Sequence, residues 1–312
     1  MSLTLNSVGI EISDNTTDIE LLCKEYSIPS NMLNVYKKFY GLNNVSLFNN
    51  SLEKEIESCL SNFLNKKNID PKKITHVIHT HTASGINTHF TNIIRRICRK
   101  NKISNANVFS ICSNNCASPL NGIDIFNSQC HLVSESDIFL LICADKIFTE
   151  ILQQIPNTTI CGDGVAICCL TSNGSGLKLI SKQLKYCGEY AMAPWLSLKM
   201  QADFEKKYVD NMVDVMSNVL LKSNLDWEDI KIILPHNVNN ISWKNIATKL
   251  NIPLSKIYLE QIPNLGHCFG ADIFINLHFH AQNYQLEKGD KIMLGTVGLG
   301  AVFGVAVFEY VD

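Results

Sequence analysis

Hydrophobic and polar positions alternate along this chain in two ways. Runs in which nearly every residue is apolar, such as Ile138 to Ala144 and Ala166 to Thr171, suit strands buried on both faces, whereas apolar residues recurring every three or four positions suit helices. In the first half the pattern predicts a strand at Val8 to Ile12, helices up to about Asn65, a strand at Thr75 to Thr82 and a helix at Ile86 to Lys100. A strand at Asn107 to Ile111, a helix at Ser118 to Leu132 and strands at Asp137 to Cys143 and Ala166 to Thr171 follow. The second half reads as a strand at Leu177 to Lys185, a helix at Asp203 to Lys222, a strand at Ile232 to Leu234, a helix at Ser242 to Leu250 and a strand at Lys256 to Glu260. A helix at Asp272 to Leu286 and strands at Ile292 to Gly295 and Val302 to Tyr310 complete it. Such alternation predicts an α/β protein whose sheets carry helices on both faces. The loops are short and no low-complexity tract occurs, so the halves are expected to pack as one rigid body.

The pattern also repeats. Ser61-Asn62-x-Leu64 followed by Ile69-Asp70-x-x-x-Ile74 recurs 156 residues later as Ser217-Asn218-x-Leu220 followed by Leu225-Asp226-x-x-x-Ile230. Each copy reads as an amphipathic helix, an Asp turn and a buried strand. The chain therefore divides into two halves of one plan, residues 1–172 and 173–312, with the boundary near Thr171 to Gly176. By the same offset Asp272 is expected to be the counterpart of Cys116.

Composition narrows the class. With 46% hydrophobic and 18% charged residues over 312 positions, the chain can bury a sizeable core and is not disordered. Its 27 Lys and Arg against 29 Asp and Glu leave a formal charge of -2, without the basic excess of a nucleic-acid protein. Met1 to Asn15 lacks the apolar run of a secretory signal and no segment is long enough to cross a bilayer, so a cytoplasmic protein off the membrane is expected. The 12 cysteines are scattered, many inside apolar runs, and read mostly as reduced, buried thiols. No Cys-x-x-Cys pair occurs, and His79 and His81 on one face of a strand lack a third ligand, so no metal site is expected.

Three segments offer chemistry. Asn114-Asn115-Cys116-Ala117-Ser118 places a thiol at the start of a helix, where unpaired amides and the positive dipole end favour the thiolate; the alternative is one more buried structural cysteine. Leu234-Pro235-His236-Asn237-Val238-Asn239 puts a histidine just beyond the carboxyl end of a strand, where sites in open α/β sheets gather, or simply in a loop. Gly266-His267-Cys268-Phe269-Gly270-Ala271-Asp272 sets a histidine between glycines at a helix start, with Asp272 in its first turn. Arg95, Arg96 and Arg99, at the end of one helix, read as a solvated helix end or as a docking patch for an acidic carrier protein or a pantetheine phosphate.

Together these residues resemble the thiolase-fold condensing enzymes, and among them the ketoacyl-acyl-carrier-protein synthase III-like group, over essentially the whole chain. Asn115-Cys116-Ala117-Ser118 is similar to the nucleophile segment, Gly162-Asp163-Gly164 to the glycine turn before the last strand of the first half, and Pro235-His236-Asn237-Val238-Asn239 to the Pro-His-x-x-Asn segment. Gly298-Leu299-Gly300 followed by Phe303-Gly304 is similar to the C-terminal glycine loop. The resemblance implies a thiolase-like fold of five layers, α-β-α-β-α, assembled as a homodimer. It implies Cys116 as nucleophile, an oxyanion hole from the Cys116 and Gly300 amides, His236 as proton shuttle and Asn239 as a substrate contact. No tightly bound cofactor is implied, the substrate being a thioester of coenzyme A or of the phosphopantetheine of an acyl carrier protein.

One position departs from the family. Synthase III proteins carry Asn where Gly266-His267 stands here, giving Cys-His-His in place of Cys-His-Asn. His267 is then expected either to assist decarboxylation of a malonyl extender or to activate an acceptor, with Asp272 orienting or charge-stabilising a histidine base. The departure favours an acyltransferase of specialised metabolism, acting on a hydroxyl, amine or carbon nucleophile. The alternatives are a decarboxylative condensing enzyme, a catalytically silent partner of a related synthase, and hydrolysis of the acyl-enzyme.

Overall fold

In the computed structural model, which describes residues 2–82, 92–193 and 195–312, nine strands hydrogen-bond in one row. Thr4–Glu11 runs antiparallel to Gly164–Thr171, which runs antiparallel to Ile138–Asp145; Ile74–Thr80 and then Asn107–Ile111 follow in parallel. The other half repeats this order. Gly176–Tyr186 pairs antiparallel with Val302–Val311, that strand with Lys291–Gly298, and Ile230–Pro235 adds in parallel, followed by a single bridge at Ile257. The halves meet where Thr4 faces Lys178 and Leu5 faces Leu177.

Side-chain alternation along these strands builds the layers. Phe139, Leu141 and Cys143 point into a central core with Ile123 and Phe126 of helix Ser118–Gln129 and with Phe274 and Leu277 of helix Asp272–Asn283. Leu140, Ile142 and Ala144 point the other way, onto Ile56 and Leu60 of helix Leu52–Lys66 and Ile97 of helix Ile93–Lys100. In the second half Ile292 and Leu294 face the same central helices, while Met293 faces Met212 and Met216 of helix Leu198–Ser223 and Trp243 of helix Asn240–Leu250. The result is the expected thiolase-like α-β-α-β-α stack, and burial of both strand faces accounts for the near-continuous apolar runs.

Differences from the sequence reading have local causes. The strand predicted at Lys256 to Glu260 shrinks to the Ile233–Ile257 bridge, because the 3-10 turn Leu254–Lys256 and helix Ile262–Leu265 leave no room for an extended segment. The helix predicted from Asp203 begins at Leu198, where the Ser197 side chain accepts the Met200 N–H. Helix Ile93–Lys100 is capped by Asn92, and the expected start at Ile86 lies outside the described residues. The two halves are related by 156 residues at Ile74 and Ile230, but by 154 at the central helices, which start at Ser118 and Asp272. Asp272 is thus the counterpart of Ser118, not of Cys116. All 12 cysteines are free thiols, and among the described residues no helix is long and apolar enough to cross a membrane.

Candidate active site

Cys116 lies in the 3-10 turn Asn115–Ala117 that leads into helix Ser118–Gln129. Asn115, just before it, adopts a left-handed φ of 47°, a conformation Asn tolerates better than most residues. The amides on either side, Asn115 N–H and Ala117 N–H, donate to the Cys112 and Asn114 carbonyls, whereas the Cys116 N–H has no acceptor among the described residues. An unengaged amide at a helix start, beside a thiol that is 4% exposed, is what an oxyanion site requires. The Thr296 hydroxyl donates to the Cys116 carbonyl at 3.1 Å, and the Thr82 hydroxyl lies 3.8 Å from Sγ.

The imidazole on the sulfur is that of His267, with Nε2 3.3 Å from Sγ. Its other nitrogen, Nδ1, lies 2.5 Å from Oδ2 of Asp272, which is fully buried. The Asp272 carboxylate also accepts the Asn237 N–H at 2.6 Å and the Cys268 N–H at 2.8 Å, so donors surround its charge. Burial acts to lower the His267 pKa, but the Asp272 carboxylate and the Cys116 sulfur outweigh it and raise the value. The three residues form a hydrogen-bonded line of thiol, imidazole and carboxylate.

The glycine turn holds this histidine in place. His267 N–H donates to the Ile160 carbonyl at 3.1 Å, and Gly162 N–H donates to the His267 carbonyl at 2.9 Å. A Cβ on Gly162 would lie 2.4 Å from the Leu265 carbonyl oxygen, and Gly266 has a φ of 66°. Asp163 fixes the turn by accepting the Phe48 and Ile147 N–H groups, each at 2.7 Å, and burial pushes its carboxyl up to about 6.

His236 stands at the end of strand Ile230–Pro235, its ring centre 5.9 Å from that of His267. Val297 N–H donates to its Nδ1 at 2.9 Å, the Trp243 indole donates to its carbonyl at 3.1 Å, and Nε2 faces the Tyr208 hydroxyl at 3.1 Å. Burial and the nearby His267 hold its pKa well below that of free histidine. The glycine loop is fastened beside the nucleophile turn: Leu299 O accepts from the Asn115 side chain at 2.5 Å, and a Cβ on Gly298 would lie 2.0 Å from the Asn114 carbonyl oxygen. Gly300 follows with a φ of 91°.

The remaining sequence candidates lie elsewhere. Asn239 is committed to structure, its side chain capping helix Asn240–Leu250 through the Ser242 N–H at 2.8 Å and donating to the Thr158 carbonyl at 3.1 Å. Arg95, Arg96 and Arg99 are on the outer helical layer; Arg95 donates to the Val108 carbonyl and Arg96 pairs with Glu53 at 2.6 Å. His79 and His81 stack at 4.8 Å on strand Ile74–Thr80 and the segment just beyond it. Tyr208, Val297 and Thr296 were not singled out from the sequence. Phe204, Tyr208, Met212 and Val215 do continue one apolar helical stripe, which marks Tyr208 as inward-facing.

Residues 220–310 match the family described as 3-oxoacyl-[acyl-carrier-protein] synthase III C terminal. A beta-ketoacyl-[acyl-carrier-protein] synthase III of Phocaeicola vulgatus is 24% identical over 71% of both chains. In the first curated relatives the matched part spans about a third of their length. Among solved structures, the acyltransferase ChlB3 superposes with a TM-score of 0.85 at 13% identity, covering 100% of this chain and 98% of its own. The 3-oxoacyl-[acyl-carrier-protein] synthase III of Aquifex aeolicus VF5 gives 0.80 at 19% identity, covering 99% of this chain and 100% of its own. The match over residues 220–310 ties the C-terminal part of the chain to the synthase III C-terminal family, and the superpositions show that the whole chain has the thiolase-like fold of these enzymes.

Proposed function

We propose that this protein is an acyltransferase that loads an acyl group from an acyl carrier protein or coenzyme A thioester onto Cys116 and passes it to a hydroxyl or amine of a specialised metabolite. The observation that carries this reading is the Cys116–His267–Asp272 line, with Nε2 3.3 Å from the thiol and Nδ1 2.5 Å from a buried carboxylate. His267 takes the Cys116 proton, the thiolate attacks the thioester carbonyl, and the Cys116 and Gly300 N–H groups hold the oxyanion. The leaving thiol recovers the proton from His267. In the second half-reaction the acceptor gives its proton to His267 Nε2, a bond forms from oxygen or nitrogen to the acyl carbon, and the Cys116 sulfur departs. Asp272 keeps Nδ1 protonated throughout, so that Nε2 works as the base. The proton-shuttle role expected of His236 thus passes to His267.

Decarboxylative condensation would ask for a donor to a thioester enolate, whereas the carboxylate behind His267 makes its Nε2 a better base. The likeness to ChlB3, an acyltransferase, supports the same choice. A complete Cys-His-Asp line also has no use in a silent subunit. We read residues 1–172 and 173–312 as the two halves of a homodimer subunit that needs no tightly bound cofactor. The test is intact-protein mass spectrometry with a panel of acyl coenzyme A and acyl-carrier donors, using Cys116→Ala as control. An adduct on Cys116 that waits for a hydroxyl or amine supports transfer. Discharge by malonyl carrier protein with loss of carbon dioxide would make the protein a condensing enzyme, and no adduct would revive the silent partner.

A further inference from the structure

His236 is left without a task by the transfer chemistry, and its neighbours decide what it can do. A backbone N–H can only donate, so the Val297 N–H at 2.9 Å requires a lone pair on His236 Nδ1. The ring is fully buried and neutral, and a neutral imidazole carries one ring proton, which therefore sits on Nε2. Nε2–H then donates to the Tyr208 oxygen 3.1 Å away, turning the hydroxyl's own proton away from His236. Among the described residues that hydroxyl has no second hydrogen-bond partner. The Tyr208 ring is held between Phe204, at 5.7 Å between centres, and Phe303, at 5.6 Å. Burial raises its pKa, so the phenol stays a donor.

We propose that Tyr208 is an acceptor-binding residue: the chain Val297 N–H, His236, Tyr208 delivers the Tyr208 O–H to a lone pair of the attacking alcohol, amine or water, with His236 as its positioning residue. This rests on the acyl-transfer reading. The carbonyl oxygen is served by the Cys116 amide and the proton by His267, and the Tyr208 hydroxyl orients the nucleophile between them. No proton passes through Tyr208. The acceptor's proton goes to His267 Nε2, the new bond to the acyl carbon forms and the bond to the Cys116 sulfur breaks. An amine would bind unprotonated, because an ammonium has no lone pair to offer.

The experiment separates the two half-reactions. Acyl-Cys116 is formed with octanoyl coenzyme A, excess donor is removed, and discharge by water and by increasing benzyl alcohol is followed by intact mass. In Tyr208→Phe, acylation is expected within about threefold of wild type, while discharge slows about tenfold, for the alcohol chiefly through KM, as the loss of one neutral hydrogen bond dictates. His236→Ala should give the same defect, and the double variant no more than either alone, as for residues acting as a unit. Nitrogen NMR of His236 in the unmodified protein should find Nε2 protonated and Nδ1 bare. Unchanged discharge in Tyr208→Phe, additive losses, or the opposite tautomer would each overturn the proposal while leaving acyl transfer intact. A wild type that forms no Cys116 adduct would overturn the transfer reading, and the acceptor role with it, whatever the tautomer.

Discussion

The Gly162 amide donates to the His267 carbonyl at 2.9 Å, tying that histidine to a turn in the other half of the chain. Because a Cβ on Gly162 would fall 2.4 Å from the Leu265 backbone oxygen, Gly162→Ala must push the glycine turn and helix Ile262–Leu265 apart. We expect a loss of about 1–3 kcal/mol in stability from the overpacking. A displacement of His267 by about 1 Å would slow acylation of Cys116 about 100-fold. Urea unfolding and a stopped-flow acylation assay on the same sample measure both.

Asp272→Asn should weaken both chemistry and fold. The amide cannot hold the imidazolium as the carboxylate does, so acylation is expected to fall about 100- to 10,000-fold. Its NH2 group would also face either the Asn237 or the Cys268 N–H donor, depending on which oxygen it replaces, costing about 1–3 kcal/mol. His267→Gln should lose the rate without the same loss of stability. Equal acylation rates in wild type and both variants would count against the Cys-His-Asp line.

Asn239→Ala separates a helix cap from a substrate contact. Loss of the bond to the Ser242 N–H should lower stability by about 1 kcal/mol. The KM for the acyl donor should stay within about twofold, because the side chain is spent on the helix cap and the Thr158 carbonyl. A selective rise in KM with unchanged melting temperature would return Asn239 to the binding site.

Stability should fall as the solution is acidified below neutrality. Burial, helped by His81, depresses His79 to about 3, and burial with His267 holds His236 well below the value of free histidine. Unfolded chains protonate both near 6.5 and the native protein does not, so their contribution is whole above pH 6.5 and is lost as pH falls toward 3, at about 1.4 kcal/mol per pH unit for each. Asp163 acts in the opposite sense: raised to about 6, it contributes fully below pH 3.8 and loses that contribution as pH rises through 6, offsetting one histidine between. Urea midpoints from pH 7 to 5 should therefore fall, and His79→Leu, which also removes the buried unpartnered Nδ1, should flatten the curve. A midpoint independent of pH over this range would contradict the assignment.

Much of this was legible in the residues. The continuous apolar runs located the central strands because those strands are covered on both faces, and Cys116 and Asp272 were recognisable at helix starts. The choice between His236 and His267 as the partner of the thiol was not, because it depends on the Ile160–Gly162 turn holding His267 from the far half of the chain. The family resemblance also implied Asn239 as a substrate contact, although its short amide serves the helix it precedes. Tyr208 carried only the mark of an inward-facing helical position, and its hydroxyl gains meaning from Val297, which lies 89 residues further on.

The strands of the two halves pair at Thr4–Lys178 and Leu5–Leu177, with the thiol on one side of the seam and the imidazole and carboxylate on the other. A nascent chain therefore presents Cys116 long before it can present His267, which emerges 151 residues later. During that interval the sulfur has no neighbouring base to draw its proton. On the proposed reading, capture of an acyl group by Cys116 waits until the second half has folded onto the first, so reactivity arrives as the last consequence of assembly.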